Sequence, residues 1–220
     1  MDALKLLMAG SYLVAGVVNL RRGLQPAAPP PRLPGMGRLE KTVKKGGHTA
    51  QIHTVRSIDD RVKHIVKGIQ KGREDPEVRA FALSVVNRKC GKKWCIAERD
   101  TWGEAKAIFN AIRENVRYTG DVYMLDTFQH PSKWTLKYHG GDCDDYTITL
   151  GSALQSIGHS VMLRIIQTND NEDFNHIFLL DGIPPTSPEK WVALDASTNK
   201  PAGWHPPMSQ IVKIKDYVVP

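Results

Sequence analysis

Gly140-Gly141-Asp142-Cys143-Asp144-Asp145-Tyr146 sets a cysteine just after a glycine turn and at the head of a helix. Tyr146, Leu150, Leu154 and Ile157 recur at helical spacing, and Gly158 stops the run. Backbone N–H groups at a helix start carry partial positive charge, which favours thiolate over thiol. Gly140 and Gly141 permit a tight turn and the close approach of another chain. Asp142, Asp144 and Asp145 work the other way, because negative neighbours raise a thiol pKa. An activated Cys143 therefore needs a basic partner, and a histidine is the first candidate.

Downstream, Val161 to Gln167 reads as a strand by its branched apolar content. Phe174 to Leu180 and Trp191 to Asp195 read as two more, joined by a Pro- and Gly-rich loop from Asp181 to Lys190. A hairpin centred on that loop sets Leu180 opposite Trp191 and His176 opposite Asp195. Directly opposed residues have Cβ atoms roughly 4.5–5.5 Å apart, close enough for an imidazole to bond a carboxylate. A slip of one residue would send the two side chains to opposite faces.

Cysteine, histidine and aspartate in this order suit nucleophilic acyl transfer. The thiolate attacks a carbonyl, the histidine carries the proton, and the carboxylate fixes the imidazole's tautomer. Gly141-Asp142-Cys143-Asp144-Asp145, His176 in a strand and Trp191-Val192-Ala193-Leu194-Asp195 together resemble the transglutaminase-like cysteine peptidase superfamily, in its bacterial and phage form. Tyr118-x-x-Asp121 and Gln129-His130-Pro131 resemble the region ahead of the nucleophile in such proteins. The resemblance covers about residues 75 to 203. It implies Cys143 as nucleophile, His176 as general base and acid, and Asp195 as orienting carboxylate. For the oxyanion, Gln129 lies fourteen residues before Cys143 and Trp134 nine before it. Gln129 is preferred because a side-chain amide can donate to a developing oxyanion.

The chain has 220 residues and 41% hydrophobic content, enough for one ordinary domain with a tail. Charge is uneven: residues 1–100 hold 20 Lys and Arg against 9 Asp and Glu, while the remainder hold 10 against 14. The basic half suits phosphates or an anionic membrane surface. No nucleic-acid fold motif accompanies it, so nucleic acid is not an expected partner.

Residues 6–18 are uncharged and mostly apolar, followed by Arg21-Arg22. That is short of the about 20 residues a bilayer-spanning helix needs. Residues 1–22 are read as a membrane anchor, with a signal peptide or a helix packed on a partner protein as alternatives. Residues 23–50 read as a Pro- and Gly-rich linker, and 51–220 as the transglutaminase-like domain.

Three helices are expected before the nucleophile. Ser57 caps Ile58 to Gln70, Asp75-Pro76 opens a second, and Thr101-x-x-Glu104 forms a capping box for a third. Their apolar stripes are core signals. Cys90 and Cys95 supply at most half a zinc site, and free thiols are preferred over a local disulfide. His139, Asp142 and Cys143 are too close in sequence for a closed tetrahedral metal site. No cofactor is expected.

The fold class is therefore α+β, with helices and a nucleophile helix packed on an antiparallel sheet. The expected activity is cysteine-dependent hydrolysis of an amide bond through a thioester, on a peptide or protein. By family analogy a peptidoglycan peptide is one substrate class. A noncatalytic structural or binding module, such as a membrane-tethered virion protein, and a crosslinking acyltransferase are the alternatives. Membrane or virion association is the expected location, with secretion or the cytoplasm as alternatives.

Overall fold

The structure, a computed structural model, describes residues 11–15, 41–45, 48–54, 57–121, 126–169 and 173–220. Its strands are β1 (Ser11–Ala15), β2 (Lys41–Lys45), β3 (His48–Thr54), β4 (Lys89–Cys90), β5 (Lys93–Trp94), β6 (Arg117–Tyr118), β7 (Asp126–Gln129), β8 (Gly140–Gly141), β9 (Val161–Gln167), β10 (His176–Ile183), β11 (Lys190–Leu194) and β12 (Lys213–Val218). Its helices are α1 (Ile58–Arg73), α2 (Pro76–Val86), α3 (Thr101–Asn115), the single turn α4 (Leu136–Tyr138) and α5 (Cys143–Ser156). A π-helical turn, Pro131–Thr135, precedes α4.

The expected α+β arrangement is present. The principal sheet runs β11-β10-β9-β12, with every neighbouring pair antiparallel. Because successive strand residues point to opposite faces, Leu163, Ile165, Ile177 and Leu179 face the helices. Ile166, Phe178, Leu180 and Ala193 form a smaller cluster on the other face, covered in part by Ile211.

Helix α5 lies at the centre. Ile148, Leu150, Ala153 and Leu154 are fully buried, and even its small polar residues Thr149 and Ser152 have no exposure. Val62, Ile65 and Ile69 of α1 and Ile108, Phe109 and Ile112 of α3 complete the same core. Burying side chains of this size stabilises by roughly 1.5–3 kcal/mol each. Gly158, with φ of 98°, takes the left-handed conformation that ends the helix region.

The caps follow the sequence with one exception. Ser57 accepts from the Asp60 N–H, and Asp75 accepts from the Glu77 N–H ahead of Pro76. Helix α3 is capped by Asp100, which accepts from the Gly103 N–H, so Thr101 is its first helical residue rather than its cap.

A second sheet was not expected. It runs β2-β3-β1-β7, with β1 parallel to β3 and antiparallel to β7. The 23–50 stretch read as linker thus contains β2 and the start of β3. Within the proposed anchor, Ser11–Ala15 is a strand rather than part of a helix. A short apolar run fits either state by periodicity alone, and its β-branched and aromatic content tips toward strand once partners are present. The rest of residues 1–22 lies outside the described residues. No helix among the described residues is long and apolar enough to cross a membrane.

Cys90 and Cys95 are disulfide-bonded, against the expectation of free thiols. The hairpin of β4 and β5 sets Lys89 opposite Trp94 and Cys90 opposite Lys93. That turn brings the two cysteine Cα atoms to 4.9 Å, within normal bridging distance.

Candidate functional site

Cys143 is the first residue of α5. Asp142 caps the helix by accepting from the Asp144 and Asp145 N–H groups, while Asp145 returns a bond from the Asp142 N–H. Asp145 Oδ1 also accepts the Gln129 N–H at 2.7 Å, tying β7 to the helix start. The glycine turn works by space rather than by backbone sign. A Cβ on Gly141 would sit 2.6 Å from that of Asp145, so any other residue would displace the cap. The left-handed residue at the turn is His139, with φ of 59°.

An open cavity of about 40 Å³ lies over Cys143. His176 at the start of β10 lines it, as do Arg61, Asp144, Phe174 and Asn175. His176 Nε2 lies 2.6 Å from Asp195 Oδ2, and Asp195 Oδ1 accepts from Ser197 Oγ at 2.7 Å. The Asp195 bond occupies Nε2, which leaves Nδ1 as the remaining ring nitrogen of His176.

The register that produces this pair differs from the one expected. Leu180 opposes Ala193, not Trp191, a shift of two residues. An even shift keeps each side chain on its own face. Continuing the ladder one step past β11 sets Asp195 beside Phe178, so His176 and Asp195 are diagonal neighbours. Diagonal separations of about 7–8 Å remain within reach of long side chains.

Gln129 is not in this cavity. It ends β7, and its side-chain Oε1 is buried without a hydrogen-bond partner. Trp134 packs on Tyr138 with ring centroids 4.4 Å apart and is also absent from the cavity wall.

The aspartates around Cys143 have distinct environments. Asp144 and Asp145 are buried. Burial first, then the charges of Asp144 and Asp145, push Asp142 up to about 11. Asp121, whose carboxylate accepts from the Thr127 N–H, is pushed up to about 6, mainly by burial. Burial, then Asp144 and Asp142, raise the Cys143 thiol, whose Sγ–H points to Asp144 Oδ1 at 3.4 Å. The Ile177 N–H acts in the opposite sense by donating to the sulfur.

Sequence reading missed Arg61 and its partner. Arg61, on α1, donates through Nε at 2.7 Å and through Nη2 to the same oxygen of Asp126 on β7. Burial disfavours its charge, but the bonds and charge of Asp126 outweigh that and raise its pKa further. The local signal was faint. Arg61 stands between Ile58, Val62 and Ile65, at the edge of an apolar stripe where a long cation usually reaches solvent.

Asp142, Cys143 and Asp144 each bring one ligand atom within 4.8 Å of the others. Asp142 is committed to the helix cap and Asp144 to the Cys143 thiol. The remaining donors do not make a closed site.

No protein-family model matches the chain, and no curated protein matches it. Among solved structures, it is similar to a candidate cysteine protease of Cytophaga hutchinsonii, with 18% identity and a TM-score of 0.39 over 64% of this chain and 41% of that one. A candidate protease of Parabacteroides distasonis gives 12% identity and a TM-score of 0.41 over 72% of this chain and 30% of that one. EGTA-treated LapG of Legionella pneumophila gives 16% and 0.38 over 62% and 73%. The chain thus spans less than half the length of the first two. Likeness at this level leaves the function to the site itself.

Proposed function

We propose that this protein is a cysteine-dependent hydrolase of amide bonds, a peptidase or amidase working through a thioester. The observation that carries it is the shared cavity of Cys143 and His176, with His176 Nε2 held by Asp195. That bond fixes the proton on Nε2 and offers the Nδ1 lone pair to Cys143.

In this reading Cys143 gives its proton to His176 Nδ1, and its sulfur attacks the scissile carbonyl. Asp195 stabilises the imidazolium without taking its proton. The tetrahedral adduct collapses with loss of the amine, which takes the proton back from His176 and leaves a thioester on Cys143. Water, deprotonated by His176, then hydrolyses the thioester and frees the thiol. The backbone N–H of Cys143 at the helix start is available to the developing oxyanion. Gln129, buried away from the cavity, is not assigned that role.

A peptidoglycan peptide is the substrate class to try first, on the resemblance of the GDCDD motif alone. Incubation with a panel of peptides and muropeptides, read by mass spectrometry, tests both activity and outcome. Products gaining one water mark hydrolysis, and joined products mark acyl transfer. Cys143→Ala should abolish turnover, and Cys143 should be labelled by thiol reagents more slowly in His176→Ala.

The raised Cys143 thiol favours a second reading, a noncatalytic module. Unchanged biological activity in a folded Cys143→Ala variant would establish that one instead.

A further inference from the structure

Around Cys143 the charged and titratable groups come from four places. Asp142 and Asp144 belong to its own helix start, Arg61 to α1, Tyr118 to β6 and His176 to β10. Arg61 is the permanent cation among them. It lines the same cavity as Cys143, Asp144 and His176. Its side chain keeps 28% exposure, and that of its partner Asp126 only 8%. Both described bonds of Arg61 go to one oxygen of Asp126, which fixes the guanidinium at the cavity wall.

Cys143 has two proton acceptors within its surroundings. Asp144 Oδ1 holds the thiol at 3.4 Å, while His176, whose Nδ1 is left over by the Asp195 bond, lines the same cavity. A proton held toward Asp144 is not on the imidazole that returns it to the leaving amine in this reading. The Arg61 charge weakens that carboxylate's hold and favours a sulfur anion, while Asp126, which acts on Asp144 in the opposite sense, is bonded to Arg61.

We propose that Arg61 is a positioning residue for the nucleophile: it offsets Asp144 so that the Cys143 proton passes to His176. The transfer breaks the S–H bond and forms N–H on His176 Nδ1, giving a thiolate and an imidazolium with no net change in charge. Arg61 neither gains nor loses a proton. The inference rests on the reading of Cys143 as nucleophile, but its test needs no substrate.

The experiment is the rate of iodoacetamide alkylation of Cys143 in the full chain between pH 5 and 10, read by mass at that residue. Arg61→Gln should move the midpoint upward by about one pH unit, slowing alkylation near neutrality about tenfold. Arg61→Lys should restore at least half of the change, since it keeps the charge and loses only the forked geometry. Asp144→Asn should move the midpoint downward, because it removes the competing carboxylate. A folded Arg61→Gln protein with an unmoved midpoint overturns the proposal. Should Arg61→Gln fail to fold, Arg61→Lys and Asp144→Asn decide: an unmoved midpoint in Asp144→Asn overturns it equally. A role confined to holding Asp126 would lower the melting temperature and leave the alkylation profile in place. If the midpoints move as expected while no amide substrate is ever cleaved, the hydrolase reading fails and this one stands.

Discussion

Strand β10 carries two histidine–aspartate pairs, one near each end, and they are built for different purposes. At one end His176 meets Asp195 at 2.6 Å, with 24% of the histidine side chain still exposed. Toward the other, Asp181 meets His159 Nδ1 at 2.9 Å, and both side chains are buried. The second nitrogen of His159 faces Glu104 of α3 at 3.4 Å. A carboxylate facing each nitrogen favours the doubly protonated imidazole, and Asp181 and Glu104 raise the His159 pKa accordingly. His176 keeps one nitrogen uncommitted and faces a cavity with a thiol in it. Identical residue types thus differ in chemistry through what occupies the second ring nitrogen.

The sharpest break of this comparison is a pair of alanine substitutions. His176→Ala should reduce turnover at least about a thousandfold, the scale of a lost general acid–base, while the melting curve moves less than in His159→Ala because Asp195 keeps its Ser197 bond. His159→Ala should do the reverse. It strands Asp181 in the core, and removing one partner of a buried pair costs about 3–5 kcal/mol. Thermal unfolding and steady-state rates on folded protein check both. Equal losses of stability in the two variants would erase the distinction.

The pH dependence separates the pairs further. Burial opposes the His159 charge, but Asp181 and then Glu104 outweigh it and raise its pKa above the ordinary 6.5. The stabilisation is therefore complete below pH 6.5 and lost as pH rises through the raised value. The gap in melting temperature between the natural protein and His159→Gln should be widest at acid pH and narrow as alkali is added. A gap that widened with pH would mean a neutral His159.

The smallest expected effect is at Ser197→Ala, which removes one bond to Asp195 Oδ1. A single hydrogen bond is worth about 0.5–1.5 kcal/mol, so turnover should fall only a few-fold.

How far the sequence carried the fold depended on how local each signal was. Helix α5 was legible because its opening glycine turn, its apolar period and Gly158 all lie within nineteen consecutive residues. Strand β9 was legible from branched residues alone. The His176–Asp195 pairing was reached with a register two residues out, because the Pro-rich connection does not define where the turn begins. Strand β10 runs on to Ile183, into what read as loop. Asp126 and Arg61 escaped notice because they are 65 residues apart and meet only when α1 packs beside β7. The pairings of β1 with β3 and β7 were missed for the same reason, whereas the local β2–β3 hairpin was passed over because residues 23–50 read as linker. The strand order of this second sheet, β2-β3-β1-β7, joins segments separated by most of the first half of the chain.

The Cys90–Cys95 bridge bears on how the chain sorts its sulfurs during oxidation. Three cysteines offer three pairings, and two of them would consume Cys143. Cys90 and Cys95 are five residues apart, whereas Cys143 lies 48 residues beyond Cys95. Loop closure scaling as three halves of RT times the logarithm of length favours the short ring by about 2 kcal/mol. The short ring is thus the favoured pairing, and it leaves Cys143 as the free cysteine.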